Sequence, residues 1–410
     1  MSRNYIVVFF VMLICGMQGI LQAQKTAIFD QPEADYRTAL ELFNKQKYAA
    51  ARQLFEQVIE KIENPHSDVR VNATYYRAAC AVELFHPDAE SLLVAFIDQY
   101  PMHAKRGMAF FQMGNLQYRK KKYEESAHWY SKVDLFDLST DEKAEYYFKL
   151  GYSYFMEDSF ELAKRNFYEI KDKSSKFYPA ASYYYGHISY QEGNYETALM
   201  YFNTLKEDEN FGPIVPYYIS HILYLQGKYD ELLAYAPSLL EQKESKRTPE
   251  INRLIGEAYF QKGEFDKSLS HLEAYFKENS SKAGRKDYYQ LGYAYYVAGD
   301  YAKAVPNLQK AAGEQDTLGQ NASYHLADAY VKTNQKLYAR NAFLAVYKMD
   351  FDPSLKQDAL FNYAKLSYEL SYNPFNEAII AFQKYINDYP DSPRLGEAYG
   401  YLIDLYLTTK

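Results

Sequence analysis

Apolar residues recur along this chain at three- and four-residue spacing, which is the pattern of amphipathic α-helices. In the stretch 286–312, a first helix carries one glycine and its apolar residues on a single face, at Tyr288, Leu291, Gly292 and Tyr295. A turn at Gly299 and Asp300 leads into a second helix, whose apolar stripe is Tyr301, Ala304, Leu308 and Ala311. A helix pair this short cannot bury its own apolar face, so the pattern predicts neighbours on both sides.

The same two-helix pattern recurs about ten times between residues 33 and 394. Most second helices open with an aromatic residue, and these opening residues are Tyr48, Tyr123, Phe160, Tyr195, Tyr229, Phe265, Tyr301, Lys336 and Phe375. Nine residues earlier each first helix has a small residue, here named the reference residue: Ala39, Gly114, Gly151, Gly186, Ser220, Gly256, Gly292 and Ala327, with Ala364 in the last full unit after a two-residue insertion at 372–374. Because a small side chain lets two helices approach closely, these positions predict tight helix pairs.

This spacing resembles the tetratricopeptide repeat, whose pattern is an aromatic residue, Leu-Gly, Tyr, and then Ala and Phe over 34 residues. A close match in this chain is Tyr147, Leu150, Gly151, Tyr154, Ala163 and Phe167. The resemblance implies an all-α fold, a right-handed superhelical solenoid of about ten helix-turn-helix units. A coiled coil or a compact bundle would not produce Gly-centred turns every 35 or so residues.

The ends of the chain and three irregular segments differ from the repeat. Residues 1–23 have a basic start, an apolar run and a small residue at the cleavage position, which predicts a signal peptide. An extended lead follows at 24–32, with no transmembrane span in the mature chain, and Ile14 before Cys15 disfavours lipidation.

The unit at 71–101 lacks the usual small-residue spacing. Pro237 is expected to kink or split a helix within a possible hinge at 206–250. Residues 395–410 are interpreted as the first helix of a further unit or as a cap.

Composition and motifs exclude several functions. The formal net charge is −7 and no dense basic patch is present, so nucleic acid is not an expected partner. No metal-ligand cluster, phosphate loop or nucleophile elbow occurs, so we predict no enzyme activity, no cofactor and no metal. His187 and His221 each follow a reference residue and could together sense pH or bind a metal, although a simple exposed pair is the plainer interpretation.

Two rows of aromatic residues follow the first helices. Positions three before and four after the reference residue lie about 20 degrees apart around a helix and form one stripe. In the resembled repeats the first helices line a concave face, which implies a partner groove formed by Phe111, Tyr118, Phe148, Phe155, Tyr183, Tyr190, Tyr217, Tyr224, Arg253, Phe260, Tyr289, Tyr296, Tyr324, Phe361 and Tyr368. The alternative is that these rings only pack between units.

These observations predict a non-enzymatic scaffold for protein–protein interaction. The segments 96–101 and 382–393, in which second helices end with Tyr-Pro, resemble repeats of Gram-negative envelope proteins. This resemblance implies a periplasmic or outer-membrane-associated location with envelope protein partners. The aromatic rows lack the Lys and Asn of repeats that grip a C-terminal carboxylate, so a clamp of that kind is not expected. Two alternatives stay open: a glycan- or solute-binding protein, and the N-terminal interaction half of a longer protein whose active domain lies beyond residue 410.

Overall fold

The structure is a computed structural model that describes residues 32–170, 173–241, 247–370 and 376–408. The predicted signal peptide, the lead up to residue 31 and the 372–374 loop insertion lie outside these ranges. The described residues form α-helices and two short 3₁₀ turns, with no strand among them. The predicted all-α repeat fold is therefore confirmed, and its first helix begins at Pro32. No helix in the described ranges is both long enough and apolar enough to cross a membrane.

The helices fall into two compact units whose boundary lies between Tyr201 and Phe202. Unit 1 contains α1 Pro32–Asn44, α2 Tyr48–Lys61, α3 Asp68–Glu83, α4 Ala89–Gln99, α5 Arg106–Arg119, α6 Tyr123–Tyr130, α7 Thr140–Met156, α8 Phe160–Tyr168, α9 Tyr178–Gln191 and most of α10 Tyr195–Asn203. Odd-numbered helices are the first helices of successive pairs here, and even-numbered helices are the second.

Unit 2 continues the same alternation with one split helix. It contains α11 Val215–Leu225, α12 Tyr229–Tyr235, α13 Pro237–Leu240, α14 Thr248–Gln261, α15 Phe265–Asn279, α16 Arg285–Val297, α17 Tyr301–Ala311, α18 Thr317–Lys332, α19 Lys336–Tyr347, α20 Pro353–Glu369, α21 Asn376–Asp388 and α22 Leu395–Thr408. The first helices of this unit are α11, α14, α16, α18, α20 and α22.

Each described turn between a first and a second helix contains one residue in the left-handed backbone region. In unit 2 this residue is usually glycine, as at Gly299, where φ is +81°. Unit 1 places larger residues in the same conformation, such as Phe85 and Lys121 with φ of +52° and +59°. A side chain raises the energy of this conformation by roughly 1–2 kcal/mol, so the glycine turns are the less strained ones.

The reference residues are buried where the first and second helices of a pair touch. A Cβ atom added to Gly151 would lie 2.9 Å from the Phe167 ring, and one added to Gly292 would lie 2.9 Å from both Leu308 Cγ and its backbone nitrogen. These contacts confirm the predicted close approach. They also explain why the aromatic or leucine residue of each second helix is buried, since it fills the space over the small residue.

The irregular segments are only partly as predicted. The second helix after Tyr229 splits between α12 and Pro237, as expected for a residue that cannot donate a backbone hydrogen bond. The 71–101 unit departs from the nine-residue spacing as predicted, since α4 begins at Ala89, eleven residues after Ala78, but it does contain a small residue that the sequence pattern did not identify. The left-handed residue Phe85 sets the register, and Ala78, seven residues earlier, is fully buried at the position where the other first helices carry their reference residue.

Candidate functional site

The predicted groove residues lie on the first helices of both units, at equivalent positions of each helix. All but two of them are partly buried. These partly buried residues are named the aromatic face. In unit 1 it consists of Tyr118, Phe148, Phe155, Tyr183 and Tyr190. In unit 2 it consists of Tyr217, Tyr224, Arg253, Phe260, Tyr289, Tyr296, Tyr324 and Tyr368.

The prediction is wrong for Phe111 and Phe361, which are 2% and 0% exposed and cannot contact a partner. The Phe111 ring packs 6.0 Å from that of Tyr130, on the second helix of its own pair. The Phe361 ring packs 5.2 Å from that of Tyr385, and the Arg394 guanidinium covers it at 3.4 Å. Both rings are therefore core residues, because neighbouring elements close over them.

In unit 1 the rings of the aromatic face pack against the next repeat. The Tyr118 ring lies 5.7 Å from Tyr152 on the following first helix, and Tyr152 in turn lies 5.1 Å from Tyr184. Tyr184 also contacts Phe155 at 5.0 Å. Tyr184 stands two residues before its reference residue, so it sits between two consecutive first helices. These rings therefore pack between repeats in unit 1, and the alternative that they only pack stays a prediction.

His325 occupies the same position in unit 2, two residues before the reference residue Ala327. Its ring lies 4.6 Å from Tyr293, 5.2 Å from Tyr296 and 6.4 Å from Tyr289 on the preceding first helix. Burial lowers its pKa to about 4. Its Nδ1 atom is buried without a hydrogen-bond partner among the described residues. The sequence pattern did not identify His325, because the stripe consists of the positions three before and four after the reference residue, and His325 lies two before it.

The sequence analysis also missed most of a third row, immediately after the reference residue. This position lies within roughly 60 degrees of the two aromatic positions around the helix, so it belongs to the same face. In unit 1 the row contains Asn115, Tyr152 and His187, whereas in unit 2 it contains His221, Glu257, Tyr293, Asp328 and Lys365. Helical geometry alone could have identified it.

A buried ion-pair cluster occupies the aromatic face of unit 2. Glu257 on α14 is 1% exposed, and its Oε1 accepts a hydrogen bond from Arg253 Nη1 at 2.9 Å. Its Oε2 accepts one from Lys286 Nζ on α16 at 3.0 Å. Lys286 Nζ also donates to Tyr224 Oη on α11 at 3.0 Å. Three first helices are joined by this arrangement, named the Glu257 cluster.

Three tyrosines of the aromatic face in unit 2 donate to carboxylates of the following repeat: Tyr368 donates to Asp404, and Tyr296 and Tyr324 form the other two bonds. Tyr296 Oη donates to Asp328 Oδ2 at 2.8 Å, and Tyr324 Oη donates to Asp358 Oδ2 at 2.7 Å. Burial, followed by these hydrogen bonds, raises the pKa of both phenols. Asp358 also forms an ion pair with Arg394 at 2.8 Å. The phenols therefore stay protonated at neutral pH and link the repeats as hydrogen-bond donors.

His187 and His221 both stack on the tyrosine four residues before them. The ring of His187 lies 5.9 Å from Tyr183 and that of His221 lies 5.8 Å from Tyr217. Burial lowers the pKa of each histidine, and the charge of Arg253 lowers that of His221 further. They belong to different units, and the suggestion that they form one pH- or metal-sensing site stays a prediction.

The described part of the chain offers no cluster of three His, Cys, Asp or Glu residues that could hold a metal. A shallow cavity of about 210 Å³ lies in unit 1, at the ends of the helices away from the aromatic face; Phe167, Tyr168, Ile170, Tyr178, Ser182 and Tyr201 line it. Cys80, on α3, is buried as a free thiol, as its apolar surroundings predict. The aromatic face presents rings, phenols and a few charges.

The repeated pairs, with a small residue on the first helix facing an aromatic or leucine residue on the second, define an all-α helical-repeat protein. The sequence model of the family described as "Tetratricopeptide repeat" matches residues 358–392, which span α20, α21 and the loops around α21. This match supports a tetratricopeptide-repeat protein.

Several solved structures are similar in fold. YrrB, described as a TPR protein with an unusual peptide-binding site, is 20% identical over 46% of this chain and 93% of its own, with a TM-score of 0.38. The C-terminal part of a TPR repeat-containing protein from Cytophaga hutchinsonii is 15% identical over 71% of this chain and 99% of its own, with a TM-score of 0.39. A structure of Naa15/Naa10 bound to HypK-THB is 14% identical over 92% of this chain and 61% of its own, with a TM-score of 0.45. No curated protein matches the chain.

Proposed function

We propose that this protein is a non-enzymatic scaffold that binds a polypeptide along the aromatic face. The observation that carries the proposal is that successive first helices hold Tyr and Phe rings in partly buried positions, as at Tyr183, Tyr217 and Tyr289. A ring held in this way keeps one edge or face available to a partner. Tyrosine suits such contacts because it offers a large apolar area and a hydroxyl while losing little side-chain entropy on binding.

Packing and binding are compatible uses of the same rings. Tyr184 in unit 1 and His325 in unit 2 support the rings from beneath, so the rings are ordered before any partner arrives. A preordered surface has a smaller entropic cost of binding than a flexible one. Helical repeats provide extended surfaces of this kind.

A glycan or small solute is the competing occupant. The cavity of about 210 Å³ lies among α8, α9 and α10 and uses no residue of the aromatic face. The aromatic face instead extends over several first helices in each unit, which suits a chain-like ligand. We therefore favour a polypeptide and treat a soluble oligosaccharide as an outcome of the test.

The proposed setting is the bacterial cell envelope. It depends on the sequence of residues 1–23, which predicts export, and on the Tyr-Pro segments that resemble envelope repeats. Fusion of residues 1–40 to a reporter that is active only after export tests this part. An inactive reporter would place the scaffold inside the cell without altering the proposal for its surface.

The binding surface is tested with two double variants and one matched control. Tyr183→Ala/Tyr190→Ala alters the aromatic face of unit 1, and Tyr217→Ala/Tyr289→Ala alters that of unit 2. Tyr168→Ala/Tyr338→Ala removes two tyrosines that are 53% and 61% exposed on second helices. We expect the face variants to capture about tenfold less polypeptide from an envelope extract, because aromatic anchors dominate such interfaces. The control should capture as much as the wild type.

Helicity and melting temperature are measured on every variant, so that loss of folding is separated from loss of binding. Equal capture by all variants that remain folded would assign the rings to packing alone. Calorimetric binding of a soluble oligosaccharide that the face variants lose, with no polypeptide captured by the wild type, would replace the proposal with the glycan alternative.

A further inference from the structure

The Glu257 cluster presents hydrogen-bond donors and conceals its acceptors. Glu257 is 1% exposed, and each of its two carboxylate oxygens already accepts a hydrogen bond from a cation. A partner cannot reach this carboxylate. The side chains of Arg253 and Lys286 are 26% and 53% exposed, so they are the charged groups that a partner meets.

Both cations have donors to spare. A lysine ammonium has three N–H groups, and Lys286 directs two of them to Glu257 and Tyr224. An arginine guanidinium has five N–H groups, of which one forms the 2.9 Å bond to Glu257. Tyr224 accepts its bond from Lys286, and its own hydroxyl lies close enough to Glu257 to donate there. The surplus at this site is therefore a surplus of donors.

The neighbouring charged residues do not turn this surplus of hydrogen-bond donors into a surplus of acceptors. Asp287 is 7% exposed; its carboxylate accepts the backbone N–H of Gly284 at 2.8 Å and lies 3.7 Å from Arg253. Arg247, at the start of α14, places its guanidinium 4.6 Å from the centre of the Tyr217 ring. Glu250 is a partly exposed carboxylate near the start of this helix. Formal charges of Arg247, Arg253 and Lys286 balance those of Glu250, Glu257 and Asp287, but two of the three anions are buried.

We propose that the Glu257 cluster binds an Asp or Glu side chain of the polypeptide on the aromatic face. This inference rests on the proposed function and names the chemistry of one contact within it. Lys286 and Arg253 donate to the incoming carboxylate, with Tyr217 and Tyr289 on adjacent first helices contacting the residues beside it. The buried Glu257 holds the two cations in place and reduces their mutual repulsion. Hydrogen bonds between ionised groups are the stronger ones, so the contact selects for acidic partners.

A random-sequence peptide display library tests this inference. Selection on the full wild-type chain is expected to enrich aromatic or apolar residues together with Asp or Glu. Lys286→Met should reduce the enrichment of acidic residues roughly five- to tenfold, the size expected for a partly exposed charge pair. Glu257→Gln should increase it, because two cations then lack their internal carboxylate. Enrichment of aromatic residues should persist in both variants.

Two further variants serve as controls. Lys336→Met removes a lysine that pairs with Glu369 on another part of unit 2 and should leave the acidic enrichment unchanged. Lys286→Met/Glu257→Gln removes both charges together and leaves Arg253 without its buried carboxylate, so the cluster keeps the net charge of the wild type and the acidic enrichment should recover relative to Lys286→Met. A wild type that selects peptides without acidic enrichment, or a Lys286→Met variant that keeps it, would overturn the inference. A wild type that selects no peptide at all would instead count against the proposed function.

Discussion

The aromatic faces of the two units share their geometry and differ in their charge. In unit 1 the row after the reference positions includes Asn115, Tyr152 and His187 and no carboxylate, lysine or arginine, while Lys149 beside it donates to Asn115 and pairs with Glu145. In unit 2 the same row includes Glu257, Asp328 and Lys365, and Arg253 replaces a ring. The packing of one first helix on the next is similar in both, since Tyr184 and His325 occupy equivalent positions. The charge of the face therefore changes between the units while the packing of the first helices stays similar.

The difference indicates separate roles for rings and charges. Rings appear in both units because they fill the space between repeats, with or without a partner. Charges on this face have no packing advantage, since burying Glu257 costs desolvation that the two cations only offset. A buried ion pair is weak evidence for stability, so the presence of this one in unit 2 does not by itself imply a more stable fold there.

The largest expected effect concerns the close packing of first and second helices, which both units share. Gly151→Leu in unit 1 and Gly292→Leu in unit 2 each force a side chain into a space where Phe167 or Leu308 lies 2.9 Å away. Each is expected to lower the free energy of unfolding by about 3 kcal/mol or more, at the upper end of overpacking costs. Urea denaturation measures the loss.

Gly400→Leu is the matched control for these two variants. A Cβ at Gly400 meets no atom within 4 Å. The substitution should therefore leave stability unchanged or raise it slightly, because leucine favours helix more than glycine does. Equal losses in all three variants would show that the loss does not come from the close approach of the helices at Gly151 and Gly292.

A smaller effect concerns the buried histidine of unit 2. Burial holds the folded-state pKa of His325 at about 4, below the ordinary value of 6.5. Its stabilising contribution is complete above pH 6.5 and is lost as the pH falls towards 4, because the unfolded chain takes up the proton first. The loss over this window is about 3 kcal/mol.

The control for this effect is His325→Gln, which cannot titrate. Denaturation at pH 7 and at pH 4.5 should show a smaller difference for this variant than for the wild type. His187→Gln makes the same comparison for unit 1, where burial also lowers the histidine pKa. If only His187→Gln reduced the pH dependence, the aromatic surroundings of His325 would be less protective than the structure indicates.

The smallest expected effect concerns the turns between first and second helices. Their left-handed residue is glycine in most described turns of unit 2 and a larger residue in most of unit 1. Lys121 in unit 1 has φ of +59°, and Gly299 in unit 2 has φ of +81° at the equivalent position. Lys121→Gly should raise the melting temperature, and Gly299→Ala should lower it, each by the equivalent of about 1 kcal/mol. Calorimetry measures both shifts. A loss of stability in Lys121→Gly would mean that the lysine side chain contributes more than its backbone strain costs.

The sequence alone was sufficient for the class of fold and for most helix pairs. A reference residue nine positions before an aromatic residue predicts a close helix pair, because only a small side chain permits that approach. The helical period of the sequence also predicted that the stripe of rings lies on the first helices. It failed at the 71–101 unit, where Ala78 lies among several alanines, and the left-handed residue that sets its register is Phe85 and not a glycine.

Only the tertiary structure decided how far each ring is exposed and which charges meet. Phe111 and Phe361 share their helix position with Tyr183 and Tyr289, yet neighbouring elements bury the first pair completely and the second pair only in part. Lys286 and Glu257 are 29 residues apart, and Lys286 and Tyr224 are 62 residues apart. A local period describes which face of one helix a residue occupies. The burial of that face and the partners of its charges depend on the neighbouring repeats, and these are set by the stacking of the helices.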